Sequence, residues 1–126
     1  IPSITKSILS NQIPKINTPL NKNDFIYVED IAEIITKAVY NDIESGIYNI
    51  GTGTSTSVYE ICKIIEKELL NSKSISDSVL KNTVKKKKVD FWADMQKIND
   101  SLTGIHFTSI NKGIEKYLNY IKLDLQ

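Results

Sequence analysis

Residues 25–60 read FIYVEDIAEIITKAVYNDIESGIYNIGTGTSTSVYE, and the order of patterns in this stretch decides the fold class. Phe25–Val28 is a short, wholly apolar run, suited to a strand covered on both faces. Glu29 and Asp30 follow, acidic residues that suit a helix N-terminus. Ile31, Ile34, Ile35, Ala38 and Val39 recur at the spacing of an amphipathic helix. Ile47–Ile50 is a second apolar strand, and Gly51–Thr54 is a tight loop. Ser57 and Glu60 form a capping box that opens another helix, with the stripe Val58, Ile61, Cys62, Ile65 and Leu69. Residues 25–70 therefore predict β-α-β-α with parallel strands and a right-handed crossover. Two strands of four residues do not make a parallel sheet buried on both faces. The reading implies an α/β fragment, or a sheet completed by a partner.

Outward from that segment, Pro2 suits the first position of a helix, and Ile4, Ile8 and Leu9 place a helix over 2–12. Residues 13–24, with Pro14 and Pro19, read as an extended connection. Residues 71–91 read as a lysine-rich loop with room for one edge strand, carrying the run Lys85-Lys86-Lys87-Lys88. Residues 92–122 read as terminal helices. Asp94 caps one that carries Met95, Ile98 and Leu102 and ends at Gly104. Thr108 or Ser109 caps the last, whose stripe is Ile110, Gly113, Ile114, Tyr117, Leu118 and Ile121.

At 126 residues there is room for one domain. The net charge of +1 predicts no long-range steering toward nucleic acid or an anionic membrane. All 16 basic residues are lysine, so an anion is held by point charges, backbone amides or neutral groups, without a guanidinium fork. One cysteine and one histidine exclude an internal disulfide, a cysteine-rich metal site and a two-histidine site. No apolar run approaches the length of a membrane span, and no leader pattern opens the chain. Because the first residue is Ile1, the chain is expected to begin inside a longer protein.

Several motifs carry competing readings. Gly51-x-Gly53 follows a strand, but position 56 is Thr where a dinucleotide loop has its third glycine, and no acidic residue closes a later strand. A tight turn is the reading preferred. The lysine run reads as a solvated loop, a site for the phosphates of a small ligand, or a nucleic-acid patch; it lacks interleaved aromatics. His106 reads as a packed, partly exposed residue and Cys62 as an apolar filler. Tyr59 and Lys63 stand at the Tyr-x-x-x-Lys spacing of short-chain dehydrogenases, yet on the polar side of a helix and without an upstream serine strand. They read as a surface pattern.

Asn23-Asp24-Phe25-Ile26-Tyr27-Val28-Glu29-Asp30 resembles the R-D-F-I-Y-V-D-D segment of NAD-dependent nucleotide-sugar epimerases and dehydratases, the extended short-chain dehydrogenases. Gly46–Gly53 resembles their G-x-Y-N-I-G-S-G, and Ser57–Glu60 the S-x-x-E that follows. Trp92-Ala93-Asp94 with Lys97 is similar to W-A-D-x-S-K, and Thr108–Ile114 to T-S-L-x-E-G-I. The resemblance implies a C-terminal, substrate-binding part. The family's NAD loop and catalytic Tyr and Lys lie upstream of the stretch matched, so no catalytic or cofactor-binding residue and no metal ligand is expected here. NAD belongs to the intact parent, not to this chain alone.

Carried over by position, Ile16 falls on a contact to the base, Asn23 on the arginine that clamps the diphosphate, and Phe25 on the aromatic position after it. Val58 falls near the nucleoside, residues 84–87 on R-x-G-D, and Phe91 on the tyrosine before W-A-D. Asn23 and Val84-Lys85-Lys86-Lys87 depart from the family pattern, leaving Lys22, Lys85 and Lys87 to neutralise a diphosphate as point charges. The implied partners are a nucleotide-sugar substrate and an upstream Rossmann-type domain, with self-association as a further expectation, in the cytoplasm. The rival reading is a stand-alone noncatalytic module that completes its sheet by association.

Overall fold

A computed structural model of the chain describes residues 1–72, 74–81 and 88–124. Among the described residues eight elements follow in order: α1 (Pro2–Leu9), β1 (Lys22–Asn23), α2 (Val28–Tyr40), β2 (Thr56–Ser57), α3 (Val58–Leu70), α4 (Ser74–Lys81), α5 (Gln96–Ser101) and α6 (Ile110–Asp124). They fall into two units. Unit 1 comprises Ile1–Asn23 and Thr56–Asp90; unit 2 comprises Asp24–Ser55 and Phe91–Gln126. Lys85 and Lys87 lie outside the described residues.

The described residues of unit 1 form three helices and a minimal sheet. Ile4 and Ile8 of α1, Ile61, Cys62 and Ile65 of α3, and Ile75 and Val79 of α4 are all buried. The capping box forms as its spacing predicts: the Glu60 amide donates to Ser57 Oγ at 3.1 Å, and the Ser57 amide donates to Glu60 Oε2 at 2.8 Å. α4 occupies residues where the sequence predicts a loop. Its serine-rich composition has poor helix propensity, and its stability comes from α3. The buried Glu66 carboxylate accepts from the Ile75 amide at 2.9 Å, the Ser76 amide at 2.8 Å and the Ser72 hydroxyl at 2.6 Å. A carboxylate from a neighbouring helix thereby satisfies amides that α4 leaves unpaired.

The predicted strands at 25–28 and 47–50 are not strands. Val28 already begins α2, and the ladder among the described residues is β1 antiparallel to β2, Lys22 opposite Ser57 and Asn23 opposite Thr56. A parallel bridge joins Lys22 to Asp90. The several-helix α/β class stands; the position and direction of its strands do not. The reason lies in unit 2. Ile26, Tyr48 and Ile50 pack onto the buried cluster of Ile34, Met95, Ile98 and Leu102. Val28 and Ile47 are 69% and 90% exposed. These segments have side chains suited to a sheet, but among the described residues no other segment forms a ladder with them.

Polar ties close unit 2. Asp30, itself buried, accepts from the Thr108 amide at 2.8 Å and the Thr108 hydroxyl at 2.7 Å, fixing the start of α6 against the start of α2. Asp30→Asn keeps the shape and one acceptor, and is expected to cost about 1 kcal/mol in urea unfolding. Lys97 Nζ donates to the Ile47 carbonyl at 3.0 Å and lies 4.4 Å from the Tyr48 ring centroid. A Cβ at Gly46 would stand 2.9 Å from that ammonium, which is the far end of a flexible side chain. Gly46→Ala is therefore expected to change unfolding free energy by less than about 1 kcal/mol, with Lys97 moving aside.

Candidate functional site

In unit 1, three of the residues singled out from sequence come together. Lys22 and Asn23 are exposed on β1, and half-buried Val58 follows directly on β2, which pairs with β1. The Lys22 amide donates to the Val89 carbonyl at 2.9 Å, and the Val89 amide to Asn21 Oδ1 at 3.2 Å. The chain leaving the lysine run is thus pinned beside Lys22, with Lys88 exposed next to it. Ile16 is half-buried in the same unit.

The N-terminus of α3 is not open to an anion. Its first three amides, those of Val58, Tyr59 and Glu60, donate to the Asn21 carbonyl at 3.2 Å, the Pro19 carbonyl at 2.8 Å and Ser57 Oγ. The helix-end site that often holds phosphate is occupied by protein acceptors.

In unit 2, a recess of about 450 Å³ is lined by Asp24, Ile26, Asn49–Gly51 and Phe91–Asp94. Phe91 and Trp92 are 62% and 54% exposed. Phe25 is half-buried in this unit. The Gly51–Gly53 loop stands at one wall; its Gly51 amide donates to Met95 Sδ at 3.1 Å, and the next two amides donate to a protein carboxylate. The Thr52 amide donates to Asp24 at 2.9 Å and the Gly53 amide at 3.0 Å; the Thr52 hydroxyl adds a bond of 2.6 Å and the Ala93 amide one of 3.2 Å. Burial works to raise the Asp24 pKa, but these donors outweigh it and hold the carboxyl below its usual value. A loop whose N–H groups are committed to an internal carboxylate is not a phosphate cradle, as the missing third glycine predicts. Gly53 has φ +71°, the left-handed backbone that glycine adopts without strain.

No protein-family model matches the chain. Among curated proteins it is 33% identical over 112 residues to the ADP-L-glycero-D-manno-heptose-6-epimerase of Fusobacterium nucleatum, covering 78% of this chain and 32% of the relative. It is 30% identical over 100 residues to the enzyme of the same name from Brachyspira hyodysenteriae, covering 79% and 31%. Among solved structures, the Bordetella bronchiseptica enzyme WbmF in complex with NADH superposes with a TM-score of 0.79 at 22% identity, over 98% of this chain and 36% of that one. In sequence and in fold the chain is similar to nucleotide-sugar epimerases and dehydratases. It matches a C-terminal part, and it spans about a third of the length of the curated relatives it matches.

Within this epimerase-type fold the remaining sequence candidates find ordinary places. Tyr59 donates to Asp77 Oδ1 at 3.2 Å, and Lys63 lies 5.4 Å from its ring centroid. Burial and the Asp77 carboxylate both push the Tyr59 phenol above its usual value, the opposite of what a catalytic tyrosine requires. Cys62 is fully buried, and burial pushes its thiol up to about 11, so it is an inert filler. His106 is exposed. Sequence reasoning missed Asp24, Asn49, Trp92 and Asp94 as lining residues. Asp24 and Trp92 both lie inside motifs quoted for the resemblance, but sequence alone does not disclose that an acid at 24 binds a loop 28 residues on.

Proposed function

We propose that this chain is the substrate-binding part of an NAD-dependent nucleotide-sugar epimerase or dehydratase. The intact protein moves a hydride between a sugar carbon and the nicotinamide. Its NAD loop and catalytic Tyr and Lys belong to an upstream Rossmann-type domain. The likeness to the heptose epimerases supports this reading. So does the capture of the end of the lysine run beside Lys22, the observation that carries it. Lys22, Lys85 and Lys87 supply charge for the diphosphate, Asn23 stands at the clamping position, Val58 lies near the nucleoside, and Ile16 meets the base. In unit 2, Phe25 and the Phe91-edged recess offer apolar surface to a ring. The setting is cytoplasmic, where nucleotide sugars are made.

Two phosphate charges need compensation, and a charge-assisted hydrogen bond contributes about 1.5–3 kcal/mol. Removing one lysine is expected to weaken ADP binding by about tenfold, at roughly 1.4 kcal/mol per decade. Calorimetric titration of ADP into Lys22→Ala, Lys85→Ala and Lys87→Ala at two salt concentrations tests it. Unchanged affinity and an unchanged salt slope in all three leave a solvated loop as the account. The chain alone is expected to turn over no nucleotide sugar with added NAD; turnover above a Tyr59→Phe control contradicts the division of labour.

One observation favours self-association of the isolated chain. Val28, Ile35, Val39 and Tyr40 of α2 are exposed, with Ile47 at 90%. Val28, Ile35 and Val39 share one helix face by their spacing, and an exposed apolar face marks an interface. The upstream domain is the proposed occupant in the parent. Without it, the chain is expected to associate in sedimentation experiments, and Ile35→Lys with Val39→Lys is expected to return it to a monomer.

A further inference from the structure

We infer that Asp24 is a positioning residue, which sets the shape of the unit 2 recess by tying two of its walls to a third. This deepens the proposed function and rests on reading the recess as part of the substrate site. Three separate segments line the recess: Asp24–Ile26, Asn49–Gly51 and Phe91–Asp94. The Asp24 carboxylate belongs to the first. It accepts from Thr52 and Gly53, which continue the second, and from Ala93, inside the third.

The geometry separates positioning from ligand binding. A carboxylate has about four acceptor sites. Here Oδ1 takes the Thr52 hydroxyl and amide, and Oδ2 takes the Gly53 and Ala93 amides together with a second approach of the Thr52 amide at 3.0 Å. No acceptor site is left for a substrate hydroxyl. Three of the donors are backbone amides, so the carboxylate fixes main chain, and with it the side chains on either side. Ala93 directly follows Trp92 and Phe91, the exposed aromatic edge of the recess. Gly51 completes the fit: a Cβ there would meet Asp24 Oδ2 at 2.5 Å, so the loop lies against the carboxylate. Packing alone would be served by any small side chain. Only an ionised carboxyl accepts from all these donors at once.

Trp92 is the single tryptophan, so its emission reports on the recess wall. The test compares the full chain with Asp24→Asn, Thr52→Val and Thr52→Ser by amide hydrogen exchange, Trp92 emission and titration with ADP. In Asp24→Asn, an NH2 group faces N–H donors. The amides of Thr52, Gly53 and Ala93 are expected to exchange at least tenfold faster, while those of α3 and α6 keep their rates. Trp92 emission is expected to shift to the red, and ADP affinity to fall about tenfold. Thr52→Val is expected to show a smaller loss in the same direction, with Thr52→Ser restoring wild-type behaviour. Should Asp24→Asn fail to fold, the Thr52 pair decides alone. Unchanged exchange at these amides and unchanged emission in the variants overturn the inference. An unmodified chain whose Trp92 does not respond to ADP overturns the ligand reading of the recess instead, and exchange still decides the role of Asp24.

Discussion

Glu66→Ala is expected to lower the stability of the chain by about 3–4 kcal/mol, because it strips a buried network of a charged acceptor. The side chain is fully buried, and its carboxylate holds two amides of α4 and the Ser72 hydroxyl. Burial alone would raise the Glu66 pKa; the bonds from Ser72, Ile75 and Ser76 outweigh burial and lower it. The sign of the pH effect follows. A carboxyl whose folded pKa lies below its unfolded value contributes stability that is fully present above the unfolded value, about 4.3. That contribution is lost as pH falls through the folded value. Urea unfolding at pH 7 is expected to separate wild type from Glu66→Gln, and the gap is expected to narrow at pH 3. A gap that stays constant contradicts the ionised cap.

Gly51→Ala is expected to cost about 2–3 kcal/mol, the range of overpacking in a fixed site. The new Cβ meets Asp24 Oδ2 at 2.5 Å and Ala93 Cβ at 2.6 Å, and neither yields cheaply. Asp24 is held by its donors, and Ala93 is held to Asp24 through its own amide. The contrast with Gly46 is instructive, since there the obstructing atom is a mobile ammonium. Thermal unfolding of the two alanine variants side by side is expected to show a large drop for Gly51→Ala and a small one for Gly46→Ala. Equal drops contradict the picture of a rigid carboxylate hub.

Much of this was legible from local patterns. The capping box at Ser57 and Glu60, the helical stripes of α3 and α6, and the turn at Gly51–Gly53 all depend on neighbours within a few residues; of the α2 stripe only Ile34 is buried, with Ile35 and Val39 exposed. Glu66 illustrates what was not legible. On a helical wheel it is one more charged residue of α3, and its role appears only when α4 is folded against it. The helix it caps was likewise hidden, since Ser74–Lys81 lacks the propensity to declare itself. The strand error has a different origin. Residues 25–28 and 47–50 have the composition of strands, but a ladder needs a neighbour, which composition does not supply. For the site, position within the family pattern singled out Asn23 and Val58, which lie with Lys22 at one edge of unit 1. It passed over Asp24, whose partners lie 28 and 69 residues away.

The proposed function requires that this chain carry binding surface for a nucleoside diphosphate. Its most direct test is a titration of the chain with ADP, AMP and adenosine, followed through the emission of Trp92. The expected result is saturable binding of ADP that weakens stepwise for AMP and adenosine and weakens further as salt is raised. Equal responses to all three, or none to any, contradict the claim.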